Sequence, residues 1–224
     1  MVDSLLKTSE IVQLETIDKR FKNVHALKDV NFSLGTGETL GLVGGNGAGK
    51  STLMNVLCGV LQPDRGKIYF EDQVVSFTSP RDSQKLGIHF IHQELALFST
   101  LTVAENIFVS ELPANKITKL IKKDNLEKKA KNLIERMDVP IEPDTKIMHL
   151  PMGQRQIVEI LRAVSSEAKV IIFDEPTSSL SISEKEKLFT IIENLKKSGV
   201  SIIYISHLFD EVFDICERIS VMRD

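Results

Sequence analysis

The sequence predicts an α/β fold interrupted by a helical insertion, and three observations predict it. The last third alternates apolar strand and helix: Lys169–Phe173, then Glu184–Lys197, then Ser201–Ser206, then Leu208–Cys216. Near-continuous apolar runs separated by helices are the pattern of strands buried on both faces of a parallel sheet. A glycine-rich loop after Val43 joins an apolar strand to a helical pattern. The middle third changes to helical spacing, which reads as an insertion into the α/β core.

The elements follow in order. The first third reads as strands at Ile11–Thr16, Val30–Leu34, Glu38–Val43 and Gly66–Phe70, separated by the turn signals Gly35-Thr36-Gly37 and Pro63-Asp64-Arg65-Gly66. After Gly49, the apolar residues Leu53, Val56, Leu57 and Val60 recur at helical spacing. In Asn125–Met137, Leu126, Ala130, Leu133, Ile134 and Met137 share one face. Asp124 is its expected N-cap, and Glu127 three residues on resembles a capping box. The lysines opposite read as a solvated face. Gln154–Val164 is a second amphipathic helix, and Gly199 ends the helix Glu184–Lys197 at a C-cap position.

Composition narrows the class. The 224 residues are 42% apolar and 26% charged, which excludes long disorder, collagen and coiled coil. A chain of this length buries roughly 70% of its unfolded surface, so its core needs no staples. The two cysteines, Cys58 and Cys216, read as small buried hydrophobes. Lys+Arg 28 against Asp+Glu 31 gives a net charge of −3, which weighs against a nucleic-acid grip. No apolar leader or membrane-length apolar run is seen, so a cytosolic, reduced protein is expected, with any membrane role acting through a partner.

Two motifs carry chemistry. Gly44-Gly45-Asn46-Gly47-Ala48-Gly49-Lys50-Ser51 fits G-x-x-x-x-G-K-[ST] between a predicted strand and a predicted helix. Glycines let backbone amides turn around phosphates, and the helix N-terminus adds partial positive charge. Lys50 places a point charge on the β- and γ-phosphates, and the Ser51 hydroxyl can ligate Mg²⁺. Val170-Ile171-Ile172-Phe173-Asp174-Glu175 then puts two carboxylates at the C-terminal end of a buried strand, the edge where α/β sheets bind ligands. Asp174 is suited to Mg²⁺, and Glu175 to polarising an attacking water.

With further motifs in order, the chain resembles the ATP-binding cassette (ABC) ATPases that drive membrane transporters. Gln93 in Ile91-His92-Gln93-Glu94 resembles the Q-loop glutamine, and Leu150-Pro151-Met152-Gly153-Gln154 the signature motif. Asp174-Glu175-Pro176-Thr177 resembles Walker B, Ser178-Ser179-Leu180-Ser181 the D-loop, and His207 the switch histidine. Phe21 resembles the aromatic that stacks on adenine. Gln93-Glu94-Leu95, Thr102–Phe108, Val158-Glu159-Ile160 and Ser206–Glu211 are similar to the monosaccharide-import branch (ribose, xylose and galactose types), with nucleoside importers next.

The resemblance implies a phosphate-loop NTPase core with an antiparallel β subdomain and an inserted helical subdomain. It divides the chain into a core of 1–93 and 162–224 and a signature-bearing helical segment of 94–161. It implies ATP bound by Phe21, the loop from Gly44 through Ser51 to Thr52, and, for a partner's nucleotide, Gly153 and Gln154. It implies Mg²⁺ at Ser51, Gln93 and Asp174, and catalysis by Glu175, His207 and Gln93. The implied partners are a second cassette, in tandem or as a homodimer, an integral membrane permease and, indirectly, an extracytoplasmic sugar-binding protein, with no nucleic acid. The chain is then an N-terminal cassette of a tandem protein, peripheral at the cytoplasmic face of the membrane. A soluble ABC ATPase acting on ribosomes or DNA would carry a longer insertion or a basic arm, and a small-molecule kinase would not explain Gln93 or the signature.

Two departures stand out. Pro151 replaces the signature serine, whose hydroxyl in the family meets the γ-phosphate of the opposing cassette. Proline has neither hydroxyl nor N–H, yet it is tolerated at a helix start, so the fold is expected to survive. The site completed by this signature is the one placed in doubt. Gly45 stands where the sugar branch often has glutamate, and a small effect on nucleotide affinity is expected.

Overall fold

The computed structural model describes residues 9–111 and 123–223. Along the chain run β1 (Glu10–Phe21), β2 (Val24–Gly35), β3 (Thr39–Gly44), α1 (Lys50–Leu57), β4 (Arg65–Phe70), β5 (Gln73–Val75), α2 (Pro80–Lys85) and β6 (Ile88–Ile91). There follow α3 (Val103–Ile107), α4 (Lys123–Arg136), α5 (Met152–Ser165), β7 (Val170–Asp174), α6 (Ile182–Lys197), β8 (Ser201–Ile205), α7 (Phe209–Ile215) and β9 (Arg218–Met222). The α/β class holds, with one antiparallel sheet ordered β2-β1-β4-β5 and a second ordered β6-β7-β8-β3-β9. In the second sheet β7, β8, β3 and β9 pair in parallel.

Contacts divide the chain into two units. The first comprises the chain up to Phe90, Lys169–Glu175 and the chain from Leu195. Its parallel strands are buried on both faces: Val170, Ile171, Ile172 and Phe173 are each 0% exposed. Full burial of such side chains stabilises by about 1.5–3 kcal/mol each, which is why the apolar runs form strands here. Leu53, Met54 and Leu57 of α1 join the same core. The second unit, Ile91–Ala168 with Pro176–Asn194, holds α3, α4, α5 and most of α6. Its core takes Leu126, Ala130, Leu133 and Ile134 from α4, the face that the periodicity predicts, and Val158 and Leu161 from α5.

Three expectations are adjusted. β1 runs past Thr16 to Phe21, because Thr16 sits in the left-handed region (φ 49°) at a register shift between Leu14 and Ile17. This bulge moves the buried side chains from Val12 and Leu14 to Ile17, so simple alternation stops where the strand does not. Asp124 lies inside α4, which already includes Lys123, and so is not its N-cap. The strand β9, unmarked in the sequence reading, closes the sheet beside β3. Among the described residues no helix is long and apolar enough to cross a membrane.

Candidate active site

The central strand β3 delivers the glycine-rich loop. Gly49, the N-cap of α1, has φ +93°, and a Cβ there would sit 2.7 Å from the Ala26 carbonyl oxygen and 3.0 Å from Leu27 Cδ2. Both conformation and space therefore require glycine. The Lys50 ammonium donates to the Gly44 carbonyl at 2.7 Å and to the Gly45 carbonyl at 3.1 Å. A cleft of about 390 Å³ opens here, lined by Gly45, Asn46, Gly47, Ala48, Gly49, Lys50, Ser51 and Thr52, and by Asp174 and Glu175 from the end of β7. An ammonium and a helix N-terminus on one side suit an anion such as a triphosphate.

A hydroxyl and a carboxylate in the same cleft suit a hard cation between protein and phosphate. Mg²⁺ takes few protein oxygens and completes its shell with water and substrate phosphates. Ser51 and Asp174 fit that donor set. Among the described residues no group of three or more His, Cys, Asp or Glu forms a self-sufficient metal cage.

Glu175 is the most constrained residue of the cleft. Its φ is +46°, in the left-handed region, a cost of about 1–3 kcal/mol for a non-glycine residue. The conformation follows from its amide, which donates to the Ile205 carbonyl at the end of β8 at 2.9 Å. Its Oε1 lies 3.3 Å from His207 Nδ1, the carboxylate part-buried and the imidazole exposed. His207 is thus brought to the cleft through Glu175.

Of the other expected site residues, Gln93, Gly153 and Gln154 belong to the second unit and Phe21 to the first. Gln93 is exposed, and its amide donates to Ser178 Oγ at 3.3 Å. Gly153 and Gln154 start α5, with Pro151 at the N-cap (φ −62°) and no capping side chain of its own. The helix survives proline as expected, because an N-cap proline interrupts no helical hydrogen bond. Instead, Glu184 Oε1 accepts the Gly153 amide at 3.2 Å, and its Oε2 accepts the Ser181 amide at 2.9 Å and the Ser181 hydroxyl at 2.7 Å. These donors, Ser181 foremost, hold the Glu184 carboxyl below the usual range. Phe21 ends β1 with its ring 42% exposed and Lys19 Nζ 5.8 Å from its centre, and it does not line the cleft.

Sequence reasoning missed three acids. Glu159 is 3% exposed and accepts the Ala96 amide at 2.8 Å and Arg162 Nη2 at 3.0 Å, tying the stretch after Gln93 to α5. Burial pushes its carboxyl up, against the pull of Arg162. Glu184 was signalled by the capping-box spacing Ser181-x-x-Glu184. Glu211 lies in an ordinary amphipathic pattern that gives no warning of burial. Cys58 is buried as expected and Cys216 half-buried, and burial is the chief cause that pushes each thiol up to about 12, away from the thiolate form.

Comparison with known proteins bears on this arrangement. A family model described as ABC transporter matches residues 27–178. The chain is similar to the ribose import ATP-binding protein RbsA 3 of Rhizobium meliloti, 46% identical over 216 residues, which are 96% of this chain and 42% of that protein. Its fold is similar to the ADP conformation of an ATP-binding cassette of an ABC transporter, with TM-score 0.84 and 30% identity over 95% of this chain and 87% of that one. It is also similar to a cassette described as dimeric in a post-hydrolysis state with ADP and Pi, with TM-score 0.78 and 25% identity over 95% and 94% of the two chains.

Proposed function

This chain belongs to the ABC transporter family, and on that premise we propose that it binds and hydrolyses ATP to energise a membrane importer, of a monosaccharide in the first place. The observation that carries the reading is the single cleft formed by the Lys50 loop, Asp174 and Glu175, with His207 against Glu175. The chain spans 42% of the ribose-import relative, so coupling to transport is a reading of the longer assembly. That relative is a ribose import ATP-binding protein, which supports a sugar as cargo.

In this reading adenine stacks on Phe21 and the triphosphate lies along Gly44–Thr52. Lys50 neutralises the β- and γ-phosphates. Ser51 and Asp174, with Gln93 as the resemblance implies, would hold Mg²⁺, which would supply charge neutralisation to the phosphates. Glu175 takes a proton from the attacking water, and its amide, fixed to β8, orients the carboxylate. His207 steadies the γ-phosphate. Gly153 and Gln154, in the segment 94–161, meet the nucleotide of a second cassette, for which the dimeric relative gives support. The permease would then bring the assembly to the cytoplasmic face of the membrane.

The test is Mg-ATP hydrolysis by this chain against protein concentration, with Lys50→Ala as the blank. Specific activity is expected to rise with concentration as two copies close. Glu175→Gln should bind ATP with similar affinity and lose roughly 10²-fold or more in turnover. Hydrolysis by Glu175→Gln at the parent rate would remove Glu175 as the base.

A further inference from the structure

Against strand β8 of the parallel sheet lies a buried acid of α7 for which the mechanism above has no use. Glu211, in the first turn of α7, is 1% exposed. A carboxylate so far from water is costly unless its lone pairs are filled. Its Oε2 accepts the Tyr204 hydroxyl at 2.8 Å and the Ser206 hydroxyl at 3.3 Å. Ser206 Oγ in turn accepts the Leu208 amide at 3.0 Å. Tyr204 is itself fixed, fully buried in β8 between Gly41 of β3 and Phe173 of β7. The acid therefore links a rigid strand to a turn, and that turn is Ser206-His207-Leu208.

His207 sits in the middle of this relay. On its other side, the Ile205 carbonyl accepts the Glu175 amide at 2.9 Å, and His207 Nδ1 lies 3.3 Å from Glu175 Oε1. The two glutamates thus hold one short stretch, Glu175 from the cleft and Glu211 from the interior.

We propose that Glu211 is a positioning residue, which through the Ser206 hydroxyl fixes the 206–208 turn so that the His207 imidazole stays against Glu175. The proposal rests on the reading of His207 as a group that acts at the γ-phosphate. A cap serving only α7 would also bury Glu211, but it would affect stability alone.

Two measurements on the full chain test this. In Glu211→Gln and in Ser206→Ala, the Leu208 amide should exchange with solvent about tenfold faster while amides within β8 keep their protection. In hydrolysis, both variants should lose about tenfold in kcat with KM for ATP within about twofold. The double variant Ser206→Ala, His207→Ala should turn over at the rate of His207→Ala alone. Ser206→Ala, which removes one hydroxyl, carries the test if Glu211→Gln does not fold. Unchanged Leu208 exchange overturns the proposal whatever the kinetics show. So does a loss of turnover that is as large without His207 as with it. If His207→Ala leaves turnover intact while Leu208 exchange still accelerates, it is the role given to His207 that fails.

Discussion

At the scale of single residues, an acid in this protein is defined by the donors that face it. Glu175 keeps a left-handed backbone because its amide is committed to β8. Glu38 shows the same rule away from the cleft. Arg218 grips it twice, Nε to Oε1 at 2.7 Å and Nη2 to Oε2 at 2.9 Å, and the Gly35 amide donates at 2.6 Å. Burial is the largest single influence and pushes the carboxyl up, but Arg218 and Gly35 together outweigh it and hold it below the usual range. A folded pKa below the unfolded one means that the unfolded chain binds the proton more readily. The clamp therefore stabilises above the ordinary glutamate value and is lost as pH falls through the lowered one. Urea unfolding should show Glu38→Gln losing less stability than the parent between about pH 6 and about pH 3. Parallel declines would mean that the clamp contributes nothing to acid stability.

At the scale of elements, the start of α5 is the instructive case. A serine at position 151 would be an N-cap whose hydroxyl accepts the amide two or three residues on. Proline offers nothing, and Glu184, from the first turn of α6, accepts the Gly153 amide instead. Glu184→Ala should therefore cost about 1–2 kcal/mol with Pro151 and measurably less with Pro151→Ser, since a serine cap takes over the same amide. Equal costs in the two backgrounds, by denaturant unfolding, would show that Glu184 serves α6 alone. Elements like α5 were legible because their pattern is local: its apolar residues Ile157, Ile160, Leu161 and Val164 recur at helical spacing. The long pair β1 and β2 was half legible, because the bulge at Thr16 breaks the alternation that marks a strand. β9 follows α7 after only two residues, Cys216 and Glu217, and the pattern alone does not separate helix from strand there.

At the scale of the whole molecule, the loop Gly44–Ser51 and the pair Asp174-Glu175 were legible because backbone-phosphate and strand-end chemistry demand fixed residue types at fixed spacing. The contacts of Glu159 and Glu211, and that of Glu184 with the Gly153 amide, were not, because each depends on a partner distant in sequence or on burial that the pattern does not encode. Pro151 tests what the assembly does with this knowledge. In a sandwich of two copies of this chain, both sites would be completed by a signature without the hydroxyl. In a tandem protein only one site would be, and the other would be completed by the second cassette. A hydrogen bond to a charged phosphate contributes about 1.5–3 kcal/mol, so restoring it is worth roughly tenfold or more where it limits turnover. Pro151→Ser should therefore raise Mg-ATP turnover of the isolated chain at high protein concentration about tenfold, and leave a tandem protein nearly unchanged. Doubled turnover in the tandem protein would mean that the site facing this signature is competent and lacks only the serine. No gain in the isolated chain would mean that the Gly153 amide, released by Glu184, already serves the phosphate unaided.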